Sequence, residues 1–248
     1  MLYYKMPPKR NYRRKRKTNS KSTYRKPKLL SIGPYFPTKM ICKHKFQHVY
    51  SLAQIYSDAA GLFTGDEMNN FKLNSMYDPD GKVGAGTGQQ PRLFDEMSKF
   101  YDTYKVIGAI AYIKFINLSE EPVYIATKVG QKQFSDGGSV SLNDWREAKD
   151  TIVNILHGVN SGARSVRTHV RKYSPAKTEG ISNTEFRTRN TEFSSLTNGE
   201  PAVKHYLSTG MTQVSSSLGG TTNTNVQVEI TIHYTCEWSG NKIIDTQS

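Results

Sequence analysis

Only two of the 248 residues are cysteine, Cys42 and Cys236. Two thiols are too few for a disulfide framework, and a reduced, intracellular setting is the expectation. Long apolar runs are also missing. The longest, VIGAIAYI at 106–113, falls well short of the roughly 18–20 residues that a membrane-spanning helix needs. The basic N-terminus is not followed by an apolar stretch, so a secretory leader is not expected. The most telling absence is local: residues 1–28 contain none of the 21 Asp and Glu but 12 of the 34 Lys and Arg. The other 220 residues hold 22 basic and 21 acidic side chains, so nearly all of the formal net charge of +13 sits in one terminal segment.

The spacings that mark catalytic chemistry are absent too. HKFQH at 44–48 has the i, i+4 spacing of a helical zinc pair but lacks the Glu after the first His, and it reads as a strand, where i and i+4 lie about 13 Å apart. GKVGAGTG at 81–88 lacks the Lys-Ser/Thr of a phosphate-binding loop and the third Gly of a dinucleotide fingerprint, which leaves a surface loop. DPDG at 78–81 offers two carboxylates without further ligands at calcium-loop spacing, so it is read as a turn. NLS at 117–119 is a formal glycosylation acceptor expected to stay unmodified. No nucleophile elbow, Cys/His pair or zinc-deaminase signature occurs. The chain is expected to be neither an enzyme nor a holder of any metal or cofactor.

What the sequence has in quantity is strand-forming residues. Tyr occurs 15 times, and alternation recurs along a body long enough to bury one sizeable core. Ile41–Ala53 sets Phe46, His48, Tyr50 and Leu52 against Lys43, Lys45, Gln47 and Val49, the period of a strand. Phe71, Leu73, Ser75 and Tyr77 suggest a second. RLFDEMSKFYDTYK spaces Leu93, Met97, Phe100 or Tyr101, and Tyr104 as a short amphipathic helix. KVIGAIAYIKFIN predicts a central strand buried on both faces, and EPVYIATKVGQ a strand whose start Pro122 holds at an edge. NDWREAK fits one helical turn capped by Asn143. Within ARSVRTHVRKYSP, Val166, Thr168 and Val170 alternate with Arg167, His169 and Arg171. Residues 174–202 are polar and loop-like. NVQVEITIHYTCEW sets Val226, Val228, Ile230, Ile232, Tyr234 and Cys236 against polar neighbours, the cleanest strand in the chain. Seven or eight strands with long connections and little helix indicate an all-β sandwich or jelly roll.

The arm, residues 1–28, cannot bury apolar surface and repels itself, so disorder is expected. With the linker it forms a unit at 1–38, ahead of a body at 39–248. Lys9, Arg10, Arg13, Arg14, Lys15, Arg16, Lys17, Lys21, Arg25, Lys26 and Lys28 suit contacts to a phosphate backbone, with Tyr12 and Tyr24 interleaved for stacking on unpaired bases. Such contacts position a strand without reading its sequence. The same residues fit a nuclear-import signal. Arg167, His169 and Arg171 are a possible extension of the basic surface onto the body, or an ordinary solvated strand face.

Residues 71–115, FKLNSMYDPDGKVGAGTGQQPRLFDEMSKFYDTYKVIGAIAYIKF, narrow the choice. Their order of strand, YDPD turn, Gly-rich loop ending in QQP, then FDEMSKFYDTYKV leading into a long strand resembles the capsid proteins of circovirus-like viruses with circular single-stranded DNA genomes. The arm, HVRKYSP and the closing strand agree in order and character. The resemblance implies a single eight-stranded jelly roll with long loops, one or two short helices and a disordered basic N-terminal arm. It further implies self-assembly of about 60 copies into a T=1 icosahedral shell. The partners would be viral single-stranded DNA and host nuclear import receptors, with a cell-surface receptor not identified, and the locations the virion and, during assembly, the host nucleus. Lys82, Lys128, Lys132 and 174–202 are then candidates for the exterior. In a jelly roll the first and last strands are antiparallel neighbours, so Cys42 and Cys236 are expected close together as free thiols. The competing reading is a cellular nucleic-acid-binding protein with a basic tail.

Overall fold

The structure, a computed structural model, describes residues 37–57, 62–64, 68–81, 88–133, 142–214 and 224–242, all within one compact unit, 36–248. The basic arm and most of the Gly-rich loop lie outside the described residues.

Ten strands form two antiparallel sheets. The first has the order β2-β1-β10-β4-β7, with β8 also paired to β4; the second has the order β3-β9-β5-β6. Their ranges are β1 Lys39–Ser57, β2 Leu62–Thr64, β3 Met68–Lys72, β4 Tyr101–Asn117, β5 Val123–Gly130, β6 Thr151–Leu156, β7 Val166–Tyr173, β8 Ser194–Leu196, β9 Tyr206–Gln213 and β10 Thr224–Asn241. Without the three-residue strands β2 and β8, eight strands remain in two sheets of four, joined by connections that cross from sheet to sheet. That is a jelly roll, as the sequence led one to expect.

β10 shows why these residues make strands. Val226, Val228, Ile230, Ile232, Tyr234, Cys236 and Trp238 are buried between the sheets, while the intervening Gln227 to Glu237 face outward. The period of two places one apolar stripe on one face. β10 lies between β1 and β4, the long strands of the first sheet, and Cys42 pairs directly with Cys236. Both thiols are free, and burial pushes both upward in pKa. The core is closed by Trp238, Phe46, Phe71, Phe94, Phe115 and Ile113, among others. Full burial of each such side chain contributes about 1.5–3 kcal/mol. The sheets are also tied by polar contacts: Tyr50 and Thr209 share a hydrogen bond of 2.5 Å, and the Tyr234 hydroxyl donates to the Lys72 carbonyl at 2.8 Å.

Several local expectations are corrected. β3 stops at Lys72 because the chain folds back: Lys72 N–H donates to the Pro79 carbonyl and Leu73 N–H to that of His205. The DPDG segment is the expected turn, with Gly81 at φ 74°. The helix read over 92–105 is only α1, Phe94–Ser98, and Tyr101 already opens β4. Its buried residue is Phe94, whereas Leu93 is 62% exposed with φ 66°. β4 is central but not buried on both faces, since Ile110 and Tyr112 are exposed on the outer one. β5 lies between β9 and β6, not at an edge, and Pro122 only precedes it. Asn143 lies inside α2, Leu142–Glu147, and does not cap it. Trp145 of that helix packs on β9 at Gly210, where a Cβ would meet its ring.

Residues 174–202 are not a loop. They hold α3 Pro175–Glu179, α4 Asn183–Thr188, α5 Asn190–Phe193 and β8; with α1 and α2, the described residues include five short α-helices where one or two were expected. Phe186, Phe193 and Ala176 form a small second core against Ile107. The register of β4 on β10 slips between Thr235 and Cys236, leaving Ile107 as an extra residue. Such a bulge re-aims a side chain, and here it supplies the apolar anchor for the α3–α5 segment.

Candidate nucleic-acid interface

Lys9, Arg10, Arg13, Arg14, Lys15, Arg16, Lys17, Lys21, Arg25, Lys26 and Lys28 lie outside the described residues. Arg167, His169 and Arg171 do share one face of β7, but it is the face turned toward the second sheet, opposite Phe115, Ile113 and Ala111 of β4. His169 is only 3% exposed. One ring nitrogen, Nε2, donates to Asn154 Oδ1 at 3.1 Å, and the other, Nδ1, accepts from the Thr127 hydroxyl at 3.0 Å, with the Phe115 ring 5.3 Å away. This tautomer follows because the Asn154 amide nitrogen is spent on the Val153 carbonyl, leaving its oxygen to face the ring. Burial, and then the charges of Arg167 and Arg171, hold the imidazole down at about 4. It is therefore neutral near pH 7 and adds nothing to a basic surface, so the expected row of three reduces to two arginines on either side of a neutral spacer. Arg167 is exposed, whereas the Arg171 guanidinium is half-buried and donates to the Asp150 carbonyl.

The alternation in β7 was legible but its sense was not. Val166 and Val170 point away from the core, at 38% and 47% exposure, while His169 and Tyr173 point in. Polar partners on the facing sheet decide this. Thr127 and Asn154 satisfy His169, and Tyr173 shares a 2.7 Å hydrogen bond with His205.

The outer face of the first sheet carries a basic surface that pattern reading did not assemble. Lys43 and Lys45 of β1, Lys114 of β4 and Lys172 of β7 share it, because each falls in register with an outward residue of the neighbouring strand. Its carboxylates are Glu229 and Glu237 of β10. Glu229 pairs with Lys114 at 3.0 Å, and Glu237 with Lys39 at 3.1 Å. Tyr112 and His233 stand edge to face on it, with centroids 5.8 Å apart. At one end, Lys105 is buried by the α3–α5 segment. Its ammonium donates to the Phe186 carbonyl at 2.5 Å and lies 4.1 Å from that ring's centroid, and burial lowers its pKa.

The outer face of the second sheet differs. α2 covers part of it, Arg146 lies over the Tyr124 ring at 5.2 Å, and Lys72 is engaged by Asp78 and Glu200. Among the described residues no group of three or more His, Cys, Asp or Glu is placed to hold a metal. The formal glycosylation acceptor is closed off as well: the Asn117 amide is buried and donates to the Glu121 and His157 carbonyls.

No family model matches the chain, and no curated protein matches it. Among solved structures it is similar to empty-head turnip yellow mosaic virus, with 13% identity over 86% of this chain and 87% of that one, at a TM-score of 0.38. A semi-empty VLP of the nodavirus of the giant freshwater prawn Macrobrachium rosenbergii gives 8% identity over 84% and 97%, at 0.41. Mud crab tombus-like virus gives 8% over 84% and 92%, at 0.44. Likenesses at this level carry no argument, and the fold rests on the strand order and register above.

Proposed function

We propose that this chain is a viral capsid protein that self-assembles into a small icosahedral shell of about 60 subunits. In this reading it packages a circular single-stranded DNA genome, as the likeness of 71–115 to circovirus-like coats implies. The observation that carries the proposal is the joining of two opposite materials in one chain. A jelly-roll body of nearly balanced charge is attached, through β1, to a 28-residue segment with twelve cations and no anion. A balanced body lets many copies tile a closed surface without large mutual repulsion, and sixty arms bring on the order of 700 positive charges to the genome. The space between the sheets is filled by aromatic and aliphatic side chains, which favours an architectural part over a ligand container.

The eleven basic residues from Lys9 to Lys28 hold phosphates, and the same cluster engages import receptors. The protein then resides in the virion and passes through the host nucleus during assembly.

Sedimentation and negative-stain microscopy of the whole chain, beside a variant lacking residues 1–28, test this reading, with nucleic-acid content taken from the A260/A280 ratio. Closed particles from both, loaded only when the arm is present, are expected. Small soluble species under every salt condition would refute the capsid reading and favour a basic-tailed cellular binding protein.

A further inference from the structure

Where β5 ends, α2 leads into β6, and β7 runs into α3, the surface forms a concavity of about 460 Å³. Its rim carries Lys128, Lys132, Lys149, Arg171, Lys172 and Lys177, and among the described lining residues the one carboxylate is that of Asp150. Among the described residues, six cations around one anion is far from the balance of the body as a whole. Three separate connections converge to build it, so it does not follow from any run of basic sequence.

The local backbone fixes its geometry. Asp150 adopts φ 60°, a left-handed conformation that Asp tolerates better than most residues. Its carbonyl thereby accepts from both the Arg171 guanidinium and the Val129 N–H. Asp150 thus holds Arg171 in the wall of the basin through its main chain. Lys132, Lys149, Lys172 and Lys177 are exposed, and none of these four is in an ion pair with another described residue.

We propose that this basin binds consecutive backbone phosphates of single-stranded nucleic acid, as a second contact on the folded body. The inference rests on the nucleic-acid reading above and adds a location to it. Two features favour a packaged strand over any other polyanion. Lys172 stands on the outer face of the first sheet with Lys43, Lys45 and Lys114, so the basin continues a basic face that already carries Tyr112 and His233. β1, which the arm precedes in sequence, belongs to that same sheet: its first residue, Lys39, pairs with Ser239, and Ser239 with Thr103, six residues before Ala109 of β4, where β7 ends. A strand held by residues ahead of β1 is thereby tethered to the sheet whose outer face continues into the basin. Lys128 and Lys132 then belong to the genome side and not to the exterior.

The test uses the whole chain at nanomolar concentration and a fluorescein-labelled thirty-residue oligothymidylate, with anisotropy followed across a salt series. K149A/K172A/K177A is compared with R92A/K99A/R164A, which removes the same charge from exposed cations elsewhere, and thermal melting checks that both variants fold. Single-strand binding loses about 0.7 in the slope of log K against log salt for each phosphate contact removed, so the basin variant is expected to be shallower by about 2 than the control. Ultraviolet crosslinking of the strand inside purified particles is expected to mark peptides containing Lys149 or Lys172–Lys177. Equal slopes for the two variants, with crosslinks confined to the arm, would overturn the proposal while leaving the packaging reading intact. A basin variant that loses only affinity for a sulfated oligosaccharide would overturn it as well, in favour of a glycan site. Failure of the unmodified chain to bind the oligonucleotide would instead remove the packaging reading, and this inference with it.

Discussion

Lowering the pH below neutrality should loosen the jelly roll through His169, by an amount that follows from its surroundings. In the folded chain the imidazole is held at about 4, and unfolded it returns to its ordinary 6.5. Between those values the unfolded chain binds a proton that the folded chain refuses, so stability falls as the pH drops from about 6.5 to about 4 and is fully retained above that window. At about 1.4 kcal/mol per unit of separation, the loss approaches roughly 3 kcal/mol by pH 4. The physical cause is specific. Protonation turns Nδ1 from an acceptor of the Thr127 hydroxyl into a second donor and puts a cation between two sheets, next to Arg167 and Arg171. The substitution His169→Gln retains an amide that can face Thr127 and Asn154 but cannot titrate. For a body of about 200 residues, 3 kcal/mol corresponds to a melting shift of about 6–12 °C. Thermal unfolding of both proteins from pH 7.5 to pH 4 should therefore show the original chain losing that much more than H169Q, with the two curves parallel above about pH 7. Other buried histidines, His44 and His205, titrate in both proteins and cancel in the difference. Curves that stay parallel throughout would refute the assignment of a neutral, proton-refusing His169.

Three further outcomes follow from the packing. Lys72→Met leaves the buried carboxylate of Asp78 without its ammonium partner and takes one of two lysines from Glu200; a loss of about 3 kcal/mol in urea unfolding is expected. Gly210→Ala puts a Cβ 2.5 Å from Trp145 Cζ2, so α2 must shift, at about 1–3 kcal/mol and with a change in tryptophan emission. A thiol reagent should titrate two cysteines in denaturant but no more than one promptly in the native chain, because Cys236 is buried and burial raises its thiol pKa; a mild oxidant should join it to Cys42, its cross-strand partner, detected as faster migration without reductant.

How much of this was legible depended on what decides each residue's place. In β10 one apolar stripe faces one core, so alternation alone assigned every side chain, and the pairing of Cys42 with Cys236 followed once a jelly roll was assumed. In β7 the same alternation misled, because burial there is governed by polar partners that the sequence keeps far away: Thr127 and Asn154 for His169, His205 for Tyr173. Apolar spacing over 93–104 imitated a helix because Phe94 of a short helix and Tyr101 and Tyr104 of a strand point into the same core. The α3–α5 segment escaped notice because its small core has few members of its own and borrows Ile107 from a bulge that no local pattern announces. The basin is illegible for a related reason, since its six cations come from three stretches far apart in the sequence, 128–132, 149 and 171–177.

The place of β10 also governs when the protein becomes usable. It fills the gap between β1 and β4, and those two long strands form no direct pair with each other. During synthesis at about 10 residues per second, β1 therefore waits roughly 20 s for the strand that completes its sheet. Throughout that interval the arm is already synthesised, while the first sheet still lacks its central strand. On the capsid reading proposed above, the order of translation separates capture of a polyanion from lattice growth. A chain interrupted before residue 224 would keep its twelve arm cations but lack the strand that joins β1 to β4, so on that reading only chains that reach their final strand enter a particle.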